Sequence, residues 1–136
     1  MTVSVRSQAN HCGFDEEPDG AISVSDKVNA AQWDNFVRSR PDGTPFHLVA
    51  WQKTIADTFG HQALHLVAKD ATGDVIGVLP VFLVRSRIFG RLLSSTPQAA
   101  YGGILAGSES ASRAIFQRAS VIAKDLGIQF LELRSF

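Results

Sequence analysis

The longest patterned stretch of apolar and polar positions runs from Asp74 to Gly103, and the rest of the chain can be placed as flanks of it. Val75, Ile76, Val78, Leu79, Val81, Phe82, Leu83 and Val84 form a run rich in β-branched and apolar residues. Such a run predicts a central strand buried on both faces rather than an alternating edge strand. Arg85-Ser86-Arg87 interrupts it, and Ile88-Phe89-Gly90-Arg91-Leu92-Leu93 resumes it, so two antiparallel strands joined near the arginines are expected. Thr96-Pro97 stops the second, because proline has no N–H to give to a ladder.

Upstream, residues 1–20 are polar, carry the acidic cluster Asp15-Glu16-Glu17 and close with the turn-forming Pro18-Asp19-Gly20. They read as a flexible N-terminal segment ahead of a single domain over 21–136. Ile22 and Val24 alternate with small polar neighbours as a short strand, and Asp26 or Asn29 is placed to cap a helix with Ala30, Trp33, Phe36 and Val37 on one face. Leu48, Trp51, Ile55 and Phe59 repeat at helical spacing, which predicts a second helix over about 46–58 stopped by Gly60. Residues 63–68 read as a strand leading into the polar hairpin loop Lys69–Asp74.

Downstream of the central stretch, Ile104-Leu105-Ala106 is a candidate short strand. Ser108 and Ser110 are candidate caps of a third helix with Ile115, Ala119, Ile122, Ala123 and Leu126 on its apolar face. Gly127 ends that helix, and Ile128, Phe130, Leu131 and Leu133 form a last strand. The expected order is β-α-α-β-β-β-α-β, an α+β (or α/β) class with a mixed, largely antiparallel sheet and helices on both faces.

Composition narrows the function. Thirteen basic and thirteen acidic residues cancel, so bulk electrostatics do not draw nucleic acid or an anionic membrane, although a local basic patch stays open. A hydrophobic share of 45% and a mean hydropathy near zero describe a soluble globular domain. The lone Cys12 cannot close an intramolecular disulfide, and no signal peptide or run of roughly 18 apolar residues is present. A cytoplasmic location without membrane insertion is therefore expected.

Four segments, TPFHLVAW at 44–51, FGH at 59–61, GVLPVFLVRSRIFG at 77–90 and YGGILA at 101–106, carry a resemblance in content, order and spacing. They resemble the FemAB-like branch of the GNAT acyltransferase superfamily, in particular the exosortase-associated FemAB-related proteins, over about residues 28–134. The resemblance implies a GNAT-like sheet, whose element order is the one just read. It also implies transfer of an acyl or aminoacyl group to an amine of a cell-envelope precursor, related to peptidoglycan or exopolysaccharide. In that family two GNAT-like units pack together and the donor, acyl-CoA or aminoacyl-tRNA, is handled mainly by the second. This chain then corresponds to the N-terminal unit, binds no cofactor of its own, and is inactive alone. Its partners are a second unit, in the same full-length chain or another subunit, and a small-molecule, glycan or peptide precursor.

Candidate chemistry is sparse. An acetyl-CoA-dependent GNAT enzyme cradles pyrophosphate on a loop of the type Arg/Gln-x-x-Gly-x-Gly/Ala that opens a helix. The nearest stretch, Arg87-Ile88-Phe89-Gly90-Arg91-Leu92, lacks the last small residue and lies in a strand pattern, and LAGSES ahead of the third helix does not match either. Tyr101-Gly102-Gly103 reads either as a tight turn or as a substrate-lining loop, two glycines letting backbone approach a ligand. Arg85 and Arg87, two apart on a strand, either solvate a hairpin end or together hold a phosphate or carboxylate, with Arg91 adding charge nearby.

His47 and Trp51, four apart, share a helix face, and His47 is either a packing residue or a substrate-binding one. No catalytic base can be assigned. No Cys-x-x-Cys, His-x-His or Gly-x-Ser-x-Gly spacing occurs, so no metal site or serine nucleophile is expected. The rivals to the acyltransferase half are a self-sufficient acetyl-CoA-dependent GNAT enzyme and a non-catalytic module that binds glycan or peptide or pairs with a subunit.

Overall fold

Asn29 opens the first helix: its Oδ1 accepts the N–H of Gln32 at 3.1 Å, the side-chain cap that local spacing allows. In the computed structural model, which describes residues 2–4, 22–88, 90–95, 102–128 and 130–133, the strands and helices follow in order. They are β1 (Thr2–Ser4), β2 (Ser23–Ser25), α1 (Ala30–Ser39), a 3₁₀ turn (Pro45–His47), α2 (Val49–Phe59), β3 (Gln62–Ala63), β4 (Leu66–Lys69), β5 (Val75–Leu79), β6 (Phe82–Ser86), β7 (Gly90–Ser94), β8 (Leu105–Ala106), α3 (Glu109–Asp125) and β9 (Phe130–Glu132). The class is α+β, with two mostly antiparallel sheets in place of the single sheet expected.

One sheet has the order β2-β4-β5-β8 and the other β1-β9-β7-β6-β3. Among the described strands only β7 and β9 run parallel, with Leu93 opposite Leu131. Thr2–Ser4, read as part of the loose N-terminal segment, pair with β9; residues 5–21 lie outside the described residues.

The run from Val75 to Val84 is not one strand. It bends after Leu79 and crosses from one sheet to the other, as does its partner, residues 62–69, at Leu64-His65. The reason is Pro80, which has no N–H to continue the ladder. At the bend Leu64 still donates its N–H to the Val81 carbonyl (2.8 Å), but the Val81 N–H turns to a side chain, His65 Nδ1, at 3.0 Å. A buried backbone donor is thus satisfied without a backbone acceptor.

Side-chain alternation across β4 and β5 builds two cores. Leu66, Ala68 and Leu79 face α3 and pack with its Ile115, Ala119 and Ala123; Val67 and Val78 face α1 and pack with Trp33, Val37 and Leu105. The helices therefore cover opposite faces of this sheet, as expected. Each fully buried aliphatic chain contributes about 1.5–3 kcal/mol. Val81, Leu83, Leu93, Leu131 and Leu133 join the α3 core, so that helix ties the two sheets together.

Helix α3 approaches β5 at Gly77. A Cβ there would lie 2.7 Å from Ile115 Cδ1, so the wholly buried Ile115 side chain would have to shift. Gly77→Ala is expected to cost about 1–2 kcal/mol in urea unfolding, with part recovered in the double variant Gly77→Ala/Ile115→Val. Equal loss in the single and double variants would show that the contact does not limit packing.

The caps combine local and distant partners. Ser108 Oγ accepts the Ala111 N–H to start α3, and Gly60, at φ 66°, ends α2. Leu48 offers α2 no side-chain cap, so Asp34 of α1 supplies one: its Oδ1 accepts the Val49 N–H at 3.0 Å. The carboxylate also complements the positive end of the α2 dipole. In the β4–β5 loop Asp70 Oδ1 takes the Thr72 N–H, the Thr72 hydroxyl and the Asp74 N–H. Those bonds, the Thr72 hydroxyl first, hold its carboxyl below the usual carboxylate range.

Candidate functional site

His47 is the hub where the 3₁₀ turn, α1, α2 and the segment before β8 meet. Its side chain is only 4% exposed. The Thr44 N–H points at Nδ1 (3.2 Å), so Nδ1 accepts and the proton sits on Nε2, which donates to the Gly103 carbonyl at 3.0 Å. The His47 carbonyl in turn accepts the Trp33 indole N–H (2.6 Å) and the Gln52 amide (2.7 Å). Burial lowers the imidazole pKa, outweighing the Gly103 carbonyl and Asp42, which raise it. With Nδ1 occupied by a backbone N–H, this histidine donates and does not serve as a base.

The two glycines join the same knot. Gly102 and Gly103 are both buried, and Gly102 takes φ 151°, a conformation L side chains rarely adopt. The close backbone approach they allow is used by the His47 ring, 56 positions earlier in the chain. Tyr101 lies outside the described residues. Trp51 is half-buried, with Phe46 edge-on at 5.1 Å and its indole N–H buried without a partner among the described residues.

The arginines separate. Arg85 sits on β6 directly opposite Arg91 of β7, so both project from the same face, whereas Arg87 lies in the turn beyond the strand end rather than on the strand. Arg91 reaches the Leu126 carbonyl at 2.7 Å and caps the negative end of α3. Arg85 is exposed and has no carboxylate partner among the described residues.

Arg85 lines an open groove of about 380 Å³ with Phe59, Gly60, His61, Gln62 and Leu83. The left-handed turn at Gly60 folds the Phe59 and His61 rings into a near-parallel stack, 5.8 Å between centroids and 14° apart. Gln62 and Leu83 are register partners on β3 and β6, so their side chains share a face. No family model matches the chain, and no curated protein matches it in sequence. The groove has to be read from its own chemistry.

Among the described histidines, His61 alone has neither ring nitrogen in a hydrogen bond. His65, like His47, receives a backbone N–H on Nδ1 and so carries its proton on Nε2. It packs between Trp33 and Phe82, and burial pushes its pKa down to about 4. A second depression of about 300 Å³, lined by Asp26, Val28, Leu64, His65 and Ile122 among others, is chiefly apolar and offers a ligand little to hold beyond the Asp26 carboxylate and His65 N–H.

Sequence spacing singled out Arg85 but not Phe59, His61 or Gln62. The signal for them was FGH at 59–61: a helix stop flanked by two aromatic rings places both at one turn. Among the described residues no group of three or more His, Cys, Asp or Glu gathers as a metal site requires, and no helix is long and apolar enough to cross a membrane.

Proposed function

We propose that this chain is the N-terminal GNAT-like unit of a FemAB-like N-acyltransferase, acting on an amine of a cell-envelope precursor with acyl-CoA or aminoacyl-tRNA as donor. The observation that carries the reading is the path through the β2-β4-β5-β8 sheet. Helices α1 and α2 intervene between its first two strands, and β8 runs directly into α3. That path agrees with what the resemblance at 44–51, 77–90 and 101–106 implies.

The N-terminus of α3 supports assigning the donor to a second unit. A pyrophosphate would need free amides and a positive field there. Ser108 Oγ already takes the Ala111 N–H, and Glu109 sets a carboxylate in the first turn. The acceptor side of the reaction needs an amine held in its neutral form to attack the acyl carbonyl; its proton passes to a base as the donor's C–S or C–O bond breaks and the CoA thiol or tRNA hydroxyl leaves.

Calorimetric titration of residues 1–136 with acetyl-CoA is the direct test. No binding tighter than millimolar and no acetylation of a lysine-containing tripeptide are expected, while the tripeptide itself shifts backbone amide resonances. Micromolar acetyl-CoA affinity would favour the self-sufficient acetyl-CoA-dependent reading instead. A tripeptide that shifts nothing would remove the acceptor role.

A further inference from the structure

We propose that the groove between the end of α2 and strands β3 and β6 is a binding site for a small planar anion, a ring bearing a carboxylate or phosphate. The inference goes beyond the acyl-transfer reading and stands without it. Three features of different kinds converge in one depression.

The first is charge. Arg85 faces Arg91 across the β6–β7 pair, an arrangement that costs stability because like charges oppose each other. Arg91 is engaged by the Leu126 carbonyl, whereas Arg85 has no acid beside it among the described residues. Its guanidinium is a planar fork of N–H donors suited to two oxygens of a carboxylate or phosphate.

The second is the pair of rings. Phe59 is 47% exposed although the His61 ring stands near-parallel to it with centroids 5.8 Å apart, so apolar ring surface is left open to water beside the groove. Offset stacking of a further ring on such a pair adds attraction beyond the area it covers.

The third is the β3–β6 wall. Leu83 and Gln62 line the depression from one face of the sheet, the Leu83 side chain almost wholly buried and the exposed Gln62 amide offering a donor and an acceptor. About 380 Å³ is enough for one small ring and its anionic group. A solvated hairpin end would explain Arg85 alone. It would not explain an exposed ring pair and a side-chain amide lining the same depression.

The test is NMR titration of ¹⁵N-labelled protein with benzoate and with phenyl phosphate, which separates the two anionic groups. Saturable shifts are expected at the amides of Phe59–Gln62 and at the Arg85 side chain, with low-millimolar affinity for ligands this small. Benzamide, planar but neutral, and cyclohexanecarboxylate, anionic but not planar, should each bind about three- to ten-fold more weakly. Arg85→Gln should weaken benzoate about ten-fold and leave benzamide unchanged, and Phe59→Leu should weaken benzoate without altering its response to acetate.

Both side chains are exposed, so unchanged melting temperatures will show that the variants fold. Equal benzoate affinity in Arg85→Gln, equal affinity for cyclohexanecarboxylate and benzoate, or shifts spread over all arginines would overturn the proposal.

Discussion

Trp33→Ala should cost about 4 kcal/mol, enough to unfold much of the population of a domain whose total stability is on the order of 5–15 kcal/mol. The side chain is wholly buried and sits in the core between α1 and the β4–β5 pair. Its indole N–H also reaches the His47 carbonyl at 2.6 Å, so the same residue anchors the junction of α1 with the 3₁₀ turn. Trp33→Phe separates the two contributions. It keeps most of the apolar volume, and the His47 carbonyl retains the Gln52 amide, so a loss of about 1–2 kcal/mol is expected. Urea unfolding followed by circular dichroism measures both; a Trp33→Ala cost below about 2 kcal/mol would mean that α1 is not held through this ring.

Acid should destabilise the fold well above the range where carboxylates titrate. His65 has its pKa pushed down to about 4 by burial, against an ordinary value of 6.5. Between those values the unfolded chain binds a proton that the folded chain does not, so stability rises with pH through the window. The contribution is complete above pH 6.5 and is lost as pH falls toward 4. At pH 4.5 the loss relative to pH 7 is about 2–3 kcal/mol. His47, also lowered by burial, adds with the same sign.

The geometry says why protonation is resisted at both rings. A proton on Nδ1 would face the Val81 N–H in one case and the Thr44 N–H in the other, placing donor against donor. His65→Gln offers Val81 an amide oxygen and cannot titrate, so it should flatten the dependence between pH 7 and 4.5. NMR titration of the His65 ring provides the direct reading. A midpoint near 6.5 would refute the assignment.

The helices were legible because their signals are local. Asn29, Ser108, Gly60 and the three- and four-residue spacing of Trp33, Val37, Ile115 and Ala119 act within one or two turns. The β6–β7 hairpin was legible for the same reason, its two strands being joined by a few residues around Arg87. Pro80 was equally visible, and the run of apolar residues around it outweighed it in the strand assignment; the missing N–H proved the stronger constraint.

The candidate site was legible only in part. Arg85, His47 and Gly103 stood out as residue types, but nothing in their spacing reveals that Arg91 is spent on the α3 C-terminus, that Asp34 caps another helix, or that His47 meets Gly103. Each of those bonds joins residues 15 to 56 positions apart.

Local sequence thus specified most helix ends and the hairpin, since caps, turns and side-chain periods act between near neighbours, but not the start of α2, expected near residue 46 and found at Val49, where a 3₁₀ turn and the distant Asp34 carboxylate take over. The division into two sheets, the tautomers of two histidines and the meeting of an arginine and a ring stack in one groove arose from packing. Those depend on which distant groups fill a shared space and satisfy each other's hydrogen bonds.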